Sequence, residues 1–322
     1  MAITWRRPSW IDIEQNLSIQ PKNRGDSVVG ADAALIAWNQ LFRDPSFGAV
    51  ILESIPPKET HRVVGFGCAV FVASHFADNA ITNPRPDLNS RIIMAVHAGE
   101  PILPPRDDVA RANASQGLDI VVLYASSLRN DLLTASEKQD ALALLASTFV
   151  EWYAGFRLRR VICETADEQT RRNIEASVVY QTVAKFPDVG RTLHCMSRES
   201  VDLLSSSFGN ILFRFSPPQL KLRESDQQLL LAALRGATDT ELANELGVSF
   251  AAVKARWRST FSRIAETMPE LFGDDYKDDE YRGKQKRHQV LAYVRTHPEE
   301  LRPYCKSNSL DSRHQDGASA GK

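Results

Sequence analysis

Two adjacent prolines, Pro217 and Pro218, limit what this chain can fold into more than any other feature. A Pro-Pro pair supplies no backbone N–H and fixes two φ angles, so it can neither continue a helix nor join a central strand. The segment Phe215-Ser216-Pro217-Pro218-Gln219 therefore reads as a boundary, and the sequence changes character across it. Before it, short β-branched runs alternate with amphipathic stretches. After it, Leu220 to Ile264 is helical in pattern throughout. The length of 322 residues agrees with a division into two domains. The expected class is α+β, a mixed-sheet domain over 1–215, a linker at 216–219 and an all-α domain over 220–268. A charged helical extension over 269–304 and a disordered tail over 305–322 complete the expectation, the tail because almost nothing in it is apolar.

In the first part, strands are expected at 49–52, 63–73, 120–125, 161–164 and 192–196, each short, apolar and bounded by turn or charged residues. Helices are expected at 32–42, 136–156 and 167–186. In the second of these, Leu142, Leu145, Phe149, Trp152 and Tyr153 form an apolar stripe. From Ala77 to Leu118 five prolines interrupt the chain, and the segment reads as a long loop. Gly65 and Gly67 lie inside a strand run without a following helix, so a β-bulge or a close backbone approach explains them better than a phosphate loop.

Thirty-nine Lys and Arg against forty Asp and Glu leave a net charge of -1, so overall charge identifies no partner. Cys68, Cys163, Cys195 and Cys305 are widely spaced, which argues against a zinc ribbon, a redox pair or a disulfide scaffold. No apolar run approaches about eighteen residues, and the N-terminus lacks the apolar core of a signal peptide. A cytoplasmic protein with no membrane partner is the expectation. Nucleophile-elbow, Walker, zincin and kinase signatures are absent, and the seven histidines show no metal spacing. Glu164, at the end of a strand, is the one carboxylate placed to act as a general base, although a solvated boundary role is the plainer reading. Catalytic residues, cofactor and metal are all expected to be none.

The informative stretch is Leu222 to Ile264. A first helix stops at Gly236. Thr238-Asp-Thr-Glu241 has capping-box spacing and opens a second helix, which ends at Gly247. Ser249 can cap a third, in which Val253, Trp257, Phe261 and Ile264 fall within about 80° of one another on the helix and form its buried face. Ala251, Lys254, Ala255, Arg258 and Ser262 lie opposite, with Arg256 and Arg263 on a flank. Between Phe250 and Ile264 there are four cations and no acid. Small alanines beside long cations suit a helix that enters a major groove.

These residues resemble the LuxR-type helix-turn-helix of bacterial transcription regulators, through Gly236, Thr238, Glu241, Leu242, Ala243, Leu246-Gly247-Val248-Ser249, Val253-Lys254 and Arg263-Ile264. The resemblance implies promoter binding through the third helix. Lys254 and Arg258 are then the base readers, Ala251, Ala255 and Ser262 share their face, and Thr238, Ser249, Arg256 and Arg263 are cap or phosphate positions. Two departures stand out. Arg223-Glu-Ser-Asp226 replaces the family's Thr-Pro-Arg-Glu opening, and its fourth, dimerising helix is not recognisable in 265–272. Val253-Lys-Ala-Arg-Trp257 is also similar to the promoter-reading region of sigma factors, but the strand-rich first part lacks their all-helical polymerase-binding region.

The order of elements in the first part resembles a GNAT-type acetyltransferase, which implies a degenerate, GNAT-like domain. That family cradles the acetyl-CoA pyrophosphate in a glycine-rich turn, and Ser126-Ser-Leu-Arg-Asn-Asp131 stands there without a Gly-x-Gly pair. The expected function is transcription regulation, with the N-terminal domain sensing a signal or mediating oligomerisation. The partners are double-stranded DNA and RNA polymerase, with a small-molecule effector and a homodimer as further expectations. The alternatives are an acetyltransferase-like enzyme with a helical appendage and a sigma-factor-like promoter reader.

Overall fold

A computed structural model describes residues 2–19, 31–55, 62–124, 133–177, 179–202, 208–272 and 283–305. The chain separates into two compact units. The first comprises Met1–Asp108, Gln116–Tyr153 and Leu158–Phe213, and the second Val109–Ser115, Ala154–Arg157 and Arg214–Lys322. The architecture is α+β.

The first unit is built on strands β1 (Ala2–Arg6), β2 (Gly48–Ile55), β3 (Arg62–Val72), β4 (Leu118–Tyr124), β5 (Leu158–Thr165), β6 (Gln181–Phe186) and β7 (Arg191–Ser197). They form one sheet in the order β1-β2-β3-β4-β5-β7-β6. Neighbours are antiparallel except β4 and β5, which run parallel. A parallel pair needs a helical crossover, and α6 (Ala135–Tyr153) supplies it. Central β3 is buried at every position after its first two, as expected for a strand covered on both faces. In the core, Phe66 and Val70 of β3 cluster with Trp38, Leu41, Ile92 and Val121.

The five expected strands and the helices at 32–42 and 136–156 are present with ends shifted by a few residues: α2 is Ala31–Arg43, and α6 ends at Tyr153. Gly67 explains itself by contact, since a Cβ there would stand 3.0 Å from Leu145 of α6. The β2–β3 register also slips beside Gly65, between Leu52 and Glu53.

Two expectations are corrected. The segment 77–118 is no long loop: it contains most of α3 (Ser74–Thr82), then α4 (Leu88–His97) and α5 (Arg106–Ala114). Its prolines stand between these helices, where a missing N–H costs nothing. Leu88, Ile92, Ile93 and Val96 give α4 a buried face. The helix expected over 167–186 is α7 (Glu168–Ala176), capped by Asp167 accepting from the Thr170 amide at 2.8 Å, followed by the edge strand β6. Half-exposed edge strands carry little apolar alternation, so β6 left no clear signature. Strand β1 and helix α1 (Trp10–Ile19) also went unread, as did the short helices α8 (Arg198–Asp202) and α9 (Phe208–Phe213).

The second unit is helical: α10 (Glu224–Leu234), α11 (Asp239–Glu245), α12 (Phe250–Thr267), a 3-10 turn over Pro269–Phe272, α13 (Gly283–Thr296) and a second 3-10 turn over Pro298–Leu301. Its core joins Leu229, Leu230, Leu242, Val253, Trp257 and Ile264 to Val290, Val294 and Leu301. The charged helical extension expected over 269–304 thus supplies part of this core. Glu300, 1% exposed, accepts from the backbone amides of Gln219 at 2.8 Å and Leu220 at 2.9 Å, fixing the residues after the Pro-Pro pair. The Ser126–Asp131 segment and the tail beyond Cys305 lie outside the described residues.

Candidate nucleic-acid interface

The elements that carry the candidate interface are set by their caps. Thr238 accepts from the Glu241 amide at 3.3 Å while Glu241 Oε2 accepts from the Thr238 amide at 2.7 Å, a reciprocal box that satisfies two orphan donors of α11. These bonds hold the Glu241 carboxyl below its ordinary range. After α11 the Val248 amide reaches back to Ala243 O at 2.9 Å, and Gly247 sits at φ +62°, a left-handed backbone that favours glycine. Ser249 then accepts from the Ala252 amide at 3.2 Å and starts α12. Thr238 and Ser249 are therefore caps, one of the two roles expected for them.

Along α12 the burial divides cleanly. Val253, Trp257, Thr260 and Ile264 are buried, whereas Ala251, Lys254, Ala255, Arg258 and Ser262 are exposed, and Arg256 is half-buried. Phe261, expected on the buried face, is half-buried and packs its ring against Trp257 and Phe272. Thr260 was missed because a hydroxyl does not read as core. It is fully buried and donates to Asp226 Oδ1 at 2.9 Å.

Arg263 departs from its expected phosphate role. Its Nε donates to Asp226 Oδ2 at 3.1 Å, and the side chains are 21% and 4% exposed. Asp226 also accepts from the Arg223 amide at 3.0 Å. One carboxylate at the start of α10 therefore locks the middle of α12, and Arg263 is part of that lock. A second clamp comes from α13: the Arg287 guanidinium lies 4.7 Å over the Trp257 ring, donates to Asp239 Oδ1 at 2.8 Å and to Ala237 O at 2.9 Å. Arg287 thus ties Trp257 of α12 to Asp239, the first residue of α11, and to Ala237 before it. No residue spacing revealed Arg287, because its hydrogen-bond partners are 48 and 50 positions away.

The outward face of α12 thus keeps Lys254 and Arg258 exposed and Arg256 half-exposed, with no acid between Phe250 and Ile264. Lys254 Nζ stands 4.7 Å above the ring of Phe250, which is 46% exposed.

The first unit offers a different chemistry. The Glu164 side chain is wholly buried, contrary to the solvated role read for it. Its Oε2 accepts from the Leu88 amide at 3.1 Å and faces Arg191 Nη1 at 3.3 Å, while Oε1 has no hydrogen-bond partner among the described residues. Burial, only partly offset by Arg191, pushes this carboxyl above its ordinary range. Asn89, next along α4, donates through Nδ2 to Leu123 O. His194 is fully buried, with Nε2 at 3.2 Å from the Thr165 hydroxyl, and burial lowers its pKa. Asp119, also fully buried, accepts from Arg159 Nε at 3.0 Å and Arg160 Nε at 2.9 Å. Trp38 and Tyr153 are core residues. Among the described residues no group of His, Cys, Asp and Glu could hold a metal ion, and no helix is long and apolar enough to cross a membrane.

No protein-family model, curated protein or solved structure matches the chain.

Proposed function

We propose that this chain is a DNA-binding transcriptional regulator that inserts α12 into the major groove, using a LuxR-type helix-turn-helix. The observation that carries the reading is the division of α12: one face is buried in the helical core and braced by Asp226 and Arg287, and the other is cationic, acid-free and lined with alanines. Bracing matters because base readout needs side chains delivered in a fixed register. Lys254 and Arg258 are the base readers, Ala251, Ala255 and Ser262 allow close approach, and Arg256 serves the phosphates.

The first unit supports a degenerate, GNAT-like domain with a sensing or oligomerising role. Ligands of α/β sheets favour the carboxyl ends of parallel strands. At that end of β4 and β5 the first residues of α4 are already bonded, Asn89 to Leu123 and Leu88 to Glu164. The competing reading, an acetyltransferase, draws on the same order of helices and strands, and calorimetric titration with acetyl-CoA separates the two. RNA polymerase, a small-molecule effector and a second copy of the chain are the further partners of the regulator reading, in a cytoplasmic setting.

The test is selection from a random duplex library with the full chain and with Lys254→Ala/Arg258→Ala. A motif enriched by the parent and lost by the variant, with an unchanged melting curve, is the expected result. Equal enrichment by both would remove the recognition-helix assignment.

A further inference from the structure

Phe250 is the first residue of α12, and at 46% exposure it is one of the few large apolar side chains the described residues leave open to solvent. On the helical wheel it lies within about 20° of Trp257, so it continues the buried stripe by one turn. Val253, the next residue of that stripe, is fully buried, whereas Phe250 is not. The stripe therefore runs past the edge of the core at the helix's leading end. Lys254, one turn on, holds its ammonium 4.7 Å over the ring, between Phe250 and the face that carries Ala251, Ala255 and Arg258. A cation at that distance is attracted by the ring's negative face, which restrains both side chains.

Resting on the DNA-binding reading above, we propose that Phe250 is a specificity-determining residue that reads the 5-methyl group of a thymine in the major groove. A recognition helix contacts base edges with its N-terminal residues, and the thymine methyl is the one apolar feature that a base pair shows there. A restrained aromatic ring is complementary to it. The neighbouring cations, with no acid up to Ile264, bring the phosphate backbone close enough for that contact.

The experiment uses the full chain and the duplex it selects from a random library. Each thymine of the selected site is replaced in turn by deoxyuridine, which removes only the methyl, and affinities are read by fluorescence anisotropy. At one position the parent should bind the uracil duplex about fourfold more weakly, the value of one buried methyl. Phe250→Ala should bind thymine and uracil duplexes equally, and Phe250→Leu should retain a preference for thymine. An unchanged melting curve for Phe250→Ala shows that the loss is not a folding effect. If no single replacement weakens the parent, or if Phe250→Ala keeps the parent's ratio, the assignment of Phe250 is wrong while the DNA-binding reading stands. If the parent enriches no motif at all, both fall together.

Discussion

At the scale of single residues, the helical unit turns on buried polar groups whose partners are distant in sequence. Asp226 satisfies a backbone amide, a hydroxyl and a guanidinium at once, which is how a carboxylate 3% exposed can be tolerated. Glu164 is the opposite case, with one oxygen lacking a partner among the described residues and a pKa raised by burial. A raised acid pKa means that the group's contribution to stability is fully present below its ordinary value of 4.5 and is lost as pH climbs through the folded value. Glu164→Gln keeps the shape and removes the charge, so it should flatten that loss. Urea midpoints should show the variant gaining on the parent from pH 4 to pH 7, and a parallel pair of curves would refute the assignment.

At the scale of elements, turns and helix ends decide the geometry. Gly247 and Gly155 both have positive φ, +62° and +83°, yet they differ in surroundings. A Cβ at Gly247 would meet nothing within 4 Å, whereas at Gly155 it would collide with the backbone of Pro298 and Glu299. Gly247→Ala should therefore cost only the left-handed penalty, about 1 kcal/mol. Gly155→Ala adds backbone overlap that no rotamer can relieve, and should cost about 3 kcal/mol or more. Denaturant melts of the two variants rank them directly. On the proposed DNA-binding role, the α11–α12 turn would survive its substitution with readout geometry slightly altered, and DNA affinity is the more sensitive measure there.

At the scale of the whole molecule, a net charge of -1 gives DNA no general attraction to the chain. On the proposed DNA-binding role, affinity comes from a local face, and its salt dependence should count the phosphates that face neutralises. Arg256→Ala should lower the slope of log affinity against log salt by about 1 and weaken all sequences alike. Arg258→Ala should instead relax preference at one base pair. A salt-independent affinity would exclude the phosphate contacts altogether.

Much of this organisation was legible in the sequence because it is local. The capping box at Thr238, the stop at Gly236, the turn at Gly247 and the stripe of Val253, Trp257 and Ile264 each depend on residues within one or two helical turns, where spacing alone fixes geometry. So did the central strands, whose continuous apolar runs follow from burial on both faces. The helices between the prolines of 77–118 and the edge strand at 181–186 were hidden, because their order depends on the sheet and core that receive them. The duties of Arg263, Thr260, Glu164 and Arg287 were hidden for the same reason. Each is set by a partner between 27 and 76 residues away, and only the closed chain brings such groups within hydrogen-bonding distance. Sequence by itself determined how α11 and α12 start and stop and which face of α12 carries charge. Tertiary structure alone decided which of those charges remain outward, since a guanidinium is claimed by whichever carboxylate folding places beside it.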